Sequence, residues 1–223
     1  MDGQELIDAV NDDDAVRVAE LVAADPALAS ARDPDGVSAL MLSRYRFERA
    51  TTDALLAADP ELDVFEATTL GYIDRLRERL DEDPSRAAAF STDGFTALHF
   101  AAFFGKAEAA GTLIAAGAPV NVYSQNELHV QPLHSAAAGR HHEVCRVLVA
   151  AGADLNATQR LDYTPLHSAA QHGDAELVEL FLSAGADPIA RLDNGQTPAE
   201  TAEAAGHVDV ARRLREVAAA RPE

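Results

Sequence analysis

A stretch of sequence that returns at a fixed interval constrains this chain more than any other feature in it. The segments GFTALHFAAFFG (94–105), HVQPLHSAAAGR (129–140), DYTPLHSAAQHG (162–173) and GQTPAETAEAAG (195–206) align without gaps. Thr96, Gln131, Thr164 and Thr197 mark the register, at intervals of 35, 33 and 33 residues. Where a further repeat follows, each segment is trailed by a second apolar helical pattern: AAGTLIAAGAPVN, VCRVLVAAGADLN or LVELFLSAGADPI. Gly117, Gly152 and Gly185 close these patterns at one register, as helix C-caps do. Gly105, Gly173 and Gly206 close the first helices in the same way, but Arg140 stands in that slot with Gly139 before it, so a different turn is expected there. A helix pair of this length cannot bury its own apolar face. Neighbouring copies must bury it, which predicts a stacked solenoid.

The run Thr164-Pro165-Leu166-His167-Ser168-Ala169-Ala170 and the later Gly152-Ala153-Asp154-Leu155-Asn156 resemble the ankyrin repeat. Thr96-Ala97-Leu98-His99 and Gln131-Pro132-Leu133-His134 depart from that motif at one position each. The resemblance implies an all-α solenoid of helix pairs joined by short β-hairpin fingers. It implies a non-enzymatic module that binds protein, with no cofactor and no metal. It also implies a structural role for His99, His134 and His167, which would hydrogen-bond within and between neighbouring loops.

The N-terminal third follows the same register more loosely. Asp25-Pro26, Asp59-Pro60 and Asp83-Pro84 stand where later repeats have Gly-Ala. Ile7, Met41 and Phe65 then fill the slot of His99, and the slots run 7, 41, 65, 99, 134, 167 and 200. The step from 41 to 65 is 24 residues, ten short of the step before it. Ten residues is the size of one finger. The reading is therefore a single domain over 1–223 with helix pairs at about 3–34, 35–62, 63–92, 93–125, 126–158, 159–191 and 192–221, and no finger between Asp59 and Phe65. Such a gap would bend the stack or offer a face for self-association. DVFEATTLG ahead of DGFTALHFAAFFG resembles small stand-alone bacterial ankyrin-repeat proteins. Glu200 in the last histidine slot and Arg212, Arg213 and Arg215 in the last helix supply the polar surface a terminal repeat needs.

Charge narrows the partners. The net charge of −19 and pI near 4.6 oppose phosphate backbones and anionic membranes. They favour solubility and would steer in a basic partner; an acidic, halophile-like surface is a third source of the same composition. An alternative function follows, an inhibitor or immunity-like protein that neutralises a basic enzyme. Cys145 is the one cysteine, so no internal disulfide forms and a reducing, cytoplasmic setting is expected. The opening MDGQELIDAV lacks the basic flank and apolar core of a signal peptide, and no run reaches the length of a membrane span.

Catalytic chemistry finds little footing. No Ser-His-Asp order, phosphate-binding loop or dinucleotide fingerprint occurs. The loop histidines lie a full repeat apart, too far to share a metal ion. His129, His141 and His142 form an irregular set that could approach a metal, but zinc needs three or four convergent ligands. Cys145 falls in a helical core slot shared with Ala110 and Val178.

The family resemblance puts partner contacts on the concave side, in two rows. The finger row is Val37, Phe95, Val130, Tyr163 and Gln196. The helix row is Tyr45/Arg46, Thr69/Leu70, Phe103/Phe104, Ala138/Gly139 and Gln171/His172. From these, Tyr45, Arg46, Phe95, Phe103, Phe104, Tyr163, Gln171 and His172 are the candidate contact residues. Tyr123 and His129 join them from a finger two residues longer than its neighbours. Aromatic residues are 5% of the chain, so their clustering here marks a contact surface. The competing expectation buries at least one of Phe103 and Phe104 between first helices.

Overall fold

The computed structural model describes residues 3–220; the outermost parts of the expected span 1–223, including the expected end of the seventh pair at 221, lie outside the described residues. Among the described residues fourteen α-helices stand in seven consecutive pairs: α1 Gly3–Asn11 with α2 Ala15–Ala24, α3 Ala39–Tyr45 with α4 Arg49–Leu56, α5 Val64–Leu70 with α6 Ile73–Glu82, α7 Ala97–Phe103 with α8 Ala107–Ala115, α9 Pro132–Ala138 with α10 His142–Ala150, α11 Pro165–Gln171 with α12 Ala175–Ser183, and α13 Pro198–Ala204 with α14 Val208–Ala219. First helices pack on first helices along the whole series, from α1 on α3 to α11 on α13. Second helices form the parallel outer layer, with α2 on α4, α6 on α8, α8 on α10 and α10 on α12.

Side-chain size decides which layer is tight. Ala101, Ala102, Ala136, Ala137, Ala169 and Ala170 are wholly buried between first helices, where nothing larger fits at that approach. Leu113, Leu148 and Phe181 fill the wider space behind, also without exposure. Ile114, Val149 and Leu182 pack against this core from its edge.

Side-chain caps open several of the first helices. Thr164 Oγ1 accepts from the His167 amide at 3.4 Å, while His167 Nδ1 lies 2.8 Å from that hydroxyl. The same reciprocal box recurs at Thr96/His99 and Thr197/Glu200, while at Gln131 only the return bond is made, its amide donating to His134 Nδ1 at 3.1 Å. In the third pair it corrects the register read from sequence. Asp63 caps α5, and Glu66, not Phe65, stands at the histidine position, accepting from the Asp63 amide at 2.8 Å. Burial raises the Glu66 carboxyl above its ordinary range, with the Asp63 charge adding to it.

The turn between the helices of a pair is uniform. Asp13, Phe47, Gly71, Gly105, Arg140, Gly173 and Gly206 all hold left-handed backbone, with φ between 54° and 85°. The different turn expected at Arg140 is absent: Arg140 takes the left-handed conformation itself, at φ 55°, and Gly139 stays right-handed at φ −78°.

Five fingers close through one shared hydrogen bond. The amides of Asp33, Ser91, Ser124, Gln159 and Leu192 donate to the carbonyls of Val37, Phe95, Val130, Tyr163 and Gln196 at 2.8–3.0 Å. Pairing in the fingers reduces to isolated bridges, as at Phe90 with Thr96. Among the described residues no such bond spans 57–63, the place where sequence spacing removes a finger. The neighbours fill the gap. The Tyr45 hydroxyl donates to the Asp93 carboxylate, and a Cβ placed on Gly36 would lie 3.2 Å from Thr92 Cγ2. Pairs two and four thus touch across pair three.

Candidate partner-binding groove

The loop histidines are locked by their surroundings. His99 accepts from the Thr96 amide at Nδ1 (3.2 Å) and donates from Nε2 to the Val130 carbonyl in the next finger at 2.9 Å. His134 joins Gln131 to Ala157, and His167 joins Thr164 to Gln196, in the same way. All three are buried, and burial pulls their pKa values down, His99 to about 4. Each is a neutral imidazole bridging two repeats.

The contact made across the missing finger builds a groove. Phe100, buried at 3% exposure, packs edge-on against Phe65 and Phe95 with centroids 5.8 and 5.7 Å away, and lies 6.2 Å from Tyr45. Above this floor Phe47 reaches over to Phe103 and Phe104, at 6.2 and 6.0 Å. Phe103 and Phe104 meet edge to face at 4.9 Å. The groove encloses about 790 Å³ and runs from α3 past α7 to α9. Its aromatic lining is Tyr45, Phe47, Phe95, Phe100, Phe103 and Phe104, half of the chain's eight Phe and four Tyr. Leu128, from the lengthened finger, and Ala138 and Gly139 line the far side. Phe47 is 65% exposed, Leu128 52% and Phe103 48%. Neither Phe103 nor Phe104 is buried between first helices, although that was the competing expectation.

Arg44 stands at one end of the groove with its guanidinium over the Phe104 ring, 5.1 Å from the centroid. Burial lowers its pKa from the ordinary arginine value. His141 also lines the groove, its Nε2 3.0 Å from the Phe103 carbonyl.

Of the residues singled out from sequence, Tyr45, Phe95, Phe103 and Phe104 come together in this groove. The other candidate contact residues do not line it, although Val130, Ala138 and Gly139 of the two rows do. Arg46 is exposed and turns back to the Asn11 carbonyl and Glu48. Tyr123 stacks on His129, with rings 4.2 Å apart and 5° from parallel, and its hydroxyl donates to the Thr158 carbonyl at 3.3 Å. Tyr163 donates to Gln171, and His172 Nδ1 lies 2.8 Å from the carbonyl of Ser168 in its own helix. Sequence reading missed Arg44, Phe47, Phe100 and Leu128. Phe47 had a signal, since it occupies the left-handed slot where most repeats place glycine. Phe100 had another, since the residue after the histidine is a serine in the next two repeats. Leu128 had none beyond its place in a longer finger.

The irregular histidines disperse. His142 spans Asp174 at 2.8 Å and Glu176 at 3.0 Å, and its hydrogen bond to Asp174 raises its pKa. Burial opposes ionisation of Asp174, yet the hydrogen bonds from His142 and Arg140 outweigh it and hold the carboxyl below its ordinary value. Cys145 is fully buried, which pushes its thiol up to about 12. Among the described residues no three His, Cys, Asp or Glu side chains converge as metal ligands would. Nor, among the described residues, is any helix long and apolar enough to cross a membrane.

Stacked helix pairs presenting an apolar concave groove define a class, the repeat scaffolds whose role resides in a surface and not in a reactive centre. The family model for ankyrin repeats (three copies) matches residues 6–159 and 133–221, and the chain belongs to the ankyrin-repeat family. No curated protein matches the chain. Ankyrin repeats are in general protein–protein interaction modules.

Proposed function

We propose that this protein is a non-enzymatic, cytoplasmic binding module or regulator that grips a partner protein through the aromatic groove of its concave side. The observation that carries the reading is the collection of six aromatic side chains in one groove, with Phe47 and Phe103 left substantially open to water. Water-exposed aromatic surface on this scale is unfavourable unless something covers it, and aromatic anchors dominate interface energetics. Phe47 adds a second argument: a bulky residue in left-handed backbone is strained, and strain of this kind gathers at functional positions.

The same groove argues against capture of a basic enzyme as the main role. The acidity of the chain lies elsewhere on its surface, and no Asp or Glu lines the groove. Affinity purification from native lysate, comparing wild type with Phe103→Ala and Phe104→Ala, tests the proposal. Loss of specific partners in both variants is the expected result. Identical partner sets in all three would remove the groove from the binding surface.

A further inference from the structure

Building on the groove as the binding face, we infer that its occupant is a peptide segment in which a large apolar side chain stands beside a carboxylate, the apolar group entering among Phe47, Phe103, Phe104 and Leu128 and the carboxylate meeting Arg44.

The argument starts from where charge is missing. The chain has 37 acidic residues against 18 Lys and Arg, yet every one of the residues lining the groove is neutral, basic or a histidine. Most other arginines find carboxylates: Arg32 meets Asp63 at 3.1 Å, Arg79 meets Glu61 at 2.6 Å, Arg140 meets Asp174 at 3.0 Å and Arg213 meets Glu179 at 2.5 Å. Arg44 has no such neighbour among the described residues. Its Nε is shut off from water and makes no hydrogen bond, and its close contact is the Phe104 face. A buried guanidinium donor without an acceptor is unfavourable by itself.

A second cation sharpens the deficit. Lys106 follows Gly105 at the start of α8, and its ammonium donates to the Leu70 carbonyl at 3.1 Å, with no carboxylate beside it among the described residues. Burial lowers the Lys106 pKa, and the charge of Arg44 lowers it further, so the two cations feel each other. A polyanion has thus left two neighbouring cations without a carboxylate, and one of them, Arg44, lines the apolar groove. A carboxylate supplied from outside meets the guanidinium at its open Nη donors, balances its charge and relieves the repulsion.

The remaining surface limits how much negative charge the occupant carries. A strongly acidic partner would be repelled by the net charge of −19. One carboxylate close to Arg44 escapes this, because more distant charges are screened beyond roughly 8 Å at physiological salt. A single Asp, Glu or chain-terminal carboxylate fits. The groove runs across three helix pairs and its rim is open, which suits an extended segment.

The test selects peptides from a random displayed library on the wild-type protein. Enriched sequences are expected to place Asp, Glu or a terminal carboxylate near Phe, Tyr, Trp or Leu. A synthetic peptide of the enriched sequence should weaken by about tenfold or more on Arg44→Gln, with Arg44→Lys recovering part of the loss. Replacing the peptide's own acid by its amide should cost a similar factor, and that amide peptide should no longer distinguish wild type from Arg44→Gln. The peptide-side substitution decides the matter even if Arg44→Gln fails to fold. Peptides that depend on Phe103 but carry no acid, or that ignore Arg44→Gln, overturn this inference and leave the groove as binding face. Peptides indifferent to Phe103→Ala, or a library with no enrichment, overturn both readings. Self-association in sedimentation equilibrium that disappears in Phe103→Ala assigns the groove to a second copy of the chain and also overturns this inference.

Discussion

His99 is held neutral by what it touches, and that has a consequence for stability. Its Nδ1 accepts an amide hydrogen and its Nε2 donates to a carbonyl, so a second proton would break the first bond. Its pKa is about 4 when folded against an ordinary 6.5, and His134 and His167 are lowered in the same direction. Between those values the unfolded chain binds more protons than the folded one. Stability is therefore full above pH 6.5 and falls as the pH drops from 6.5 toward 4. For His99 the full loss is on the order of 3 kcal/mol. Glu66 and His142 act in the opposite sense, since both are raised. Urea midpoints measured from pH 7 to pH 4 should decline, and His99→Gln should be weaker at pH 7 yet decline less; a flat wild-type profile contradicts the assignment. Phe47 makes a different prediction. At φ 59° and 65% exposed, it gives up strain and little burial on Phe47→Gly. Folding stability should hold or rise by up to about 1 kcal/mol in thermal melts. Partner affinity should fall, since the ring that reaches Phe103 and Phe104 is gone. Reduced stability together with unchanged binding would make Phe47 an ordinary packing residue.

At the scale of the elements, the turns between paired helices share one backbone shape but not one sensitivity to substitution. A Cβ on Gly173 would lie 2.4 Å from Nδ1 and 2.5 Å from Cγ of His207, in a backbone at φ 63°. A Cβ on Gly206, at φ 85°, meets nothing within 4 Å. Gly206→Ala should cost about 1 kcal/mol for conformation alone. Gly173→Ala should cost roughly 2–3 kcal/mol, because the His207 ring must also move. Equal losses in the two variants, read from urea denaturation, would show that His207 yields freely. The helices themselves were legible because their signals are local: a cap, a partner three residues on, and alanines where neighbours crowd. The third pair misled by one position because its cap changed type. Asp63 with Glu66 does the work of threonine with histidine, and a search for the histidine slot by counting lands on Phe65. The different turn expected at Arg140 fails to appear for a similar reason, since the left-handed slot tolerates a non-glycine at a modest energetic cost that composition does not reveal.

For the whole molecule, the groove follows from an omission. Seven of its residues, Tyr45, Phe95, Phe103, Phe104, Val130, Ala138 and Gly139, were legible from the two rows of the family pattern. The volume itself was not, because it forms between pairs two and four, which are not neighbours in the repeat order. The short step in the slot series was visible, but counting residues does not say which surfaces a missing finger brings together. The structure answers through Tyr45 on Asp93, Gly36 beside Thr92 and Phe47 over Phe103. Restoring the finger should therefore undo the groove. An insertion patterned on Arg32–Ser38, placed between Pro60 and Leu62, would interpose a hairpin where those contacts now occur. In a solenoid the added residues disturb mainly the adjoining repeats, so the helix pairs should still fold. Circular dichroism should stay unchanged, and thermal midpoints should move by only a few degrees, as expected for a local change of about 1 kcal/mol. Small-angle X-ray scattering should show a longer, less curved particle. Binding of any groove-dependent partner should fall by at least about tenfold, because the aromatic wall on α3 would no longer face the wall on α7. An insertion variant that folds, lengthens and still binds with wild-type affinity would mean that the α7–α9 face suffices and the gap serves only curvature.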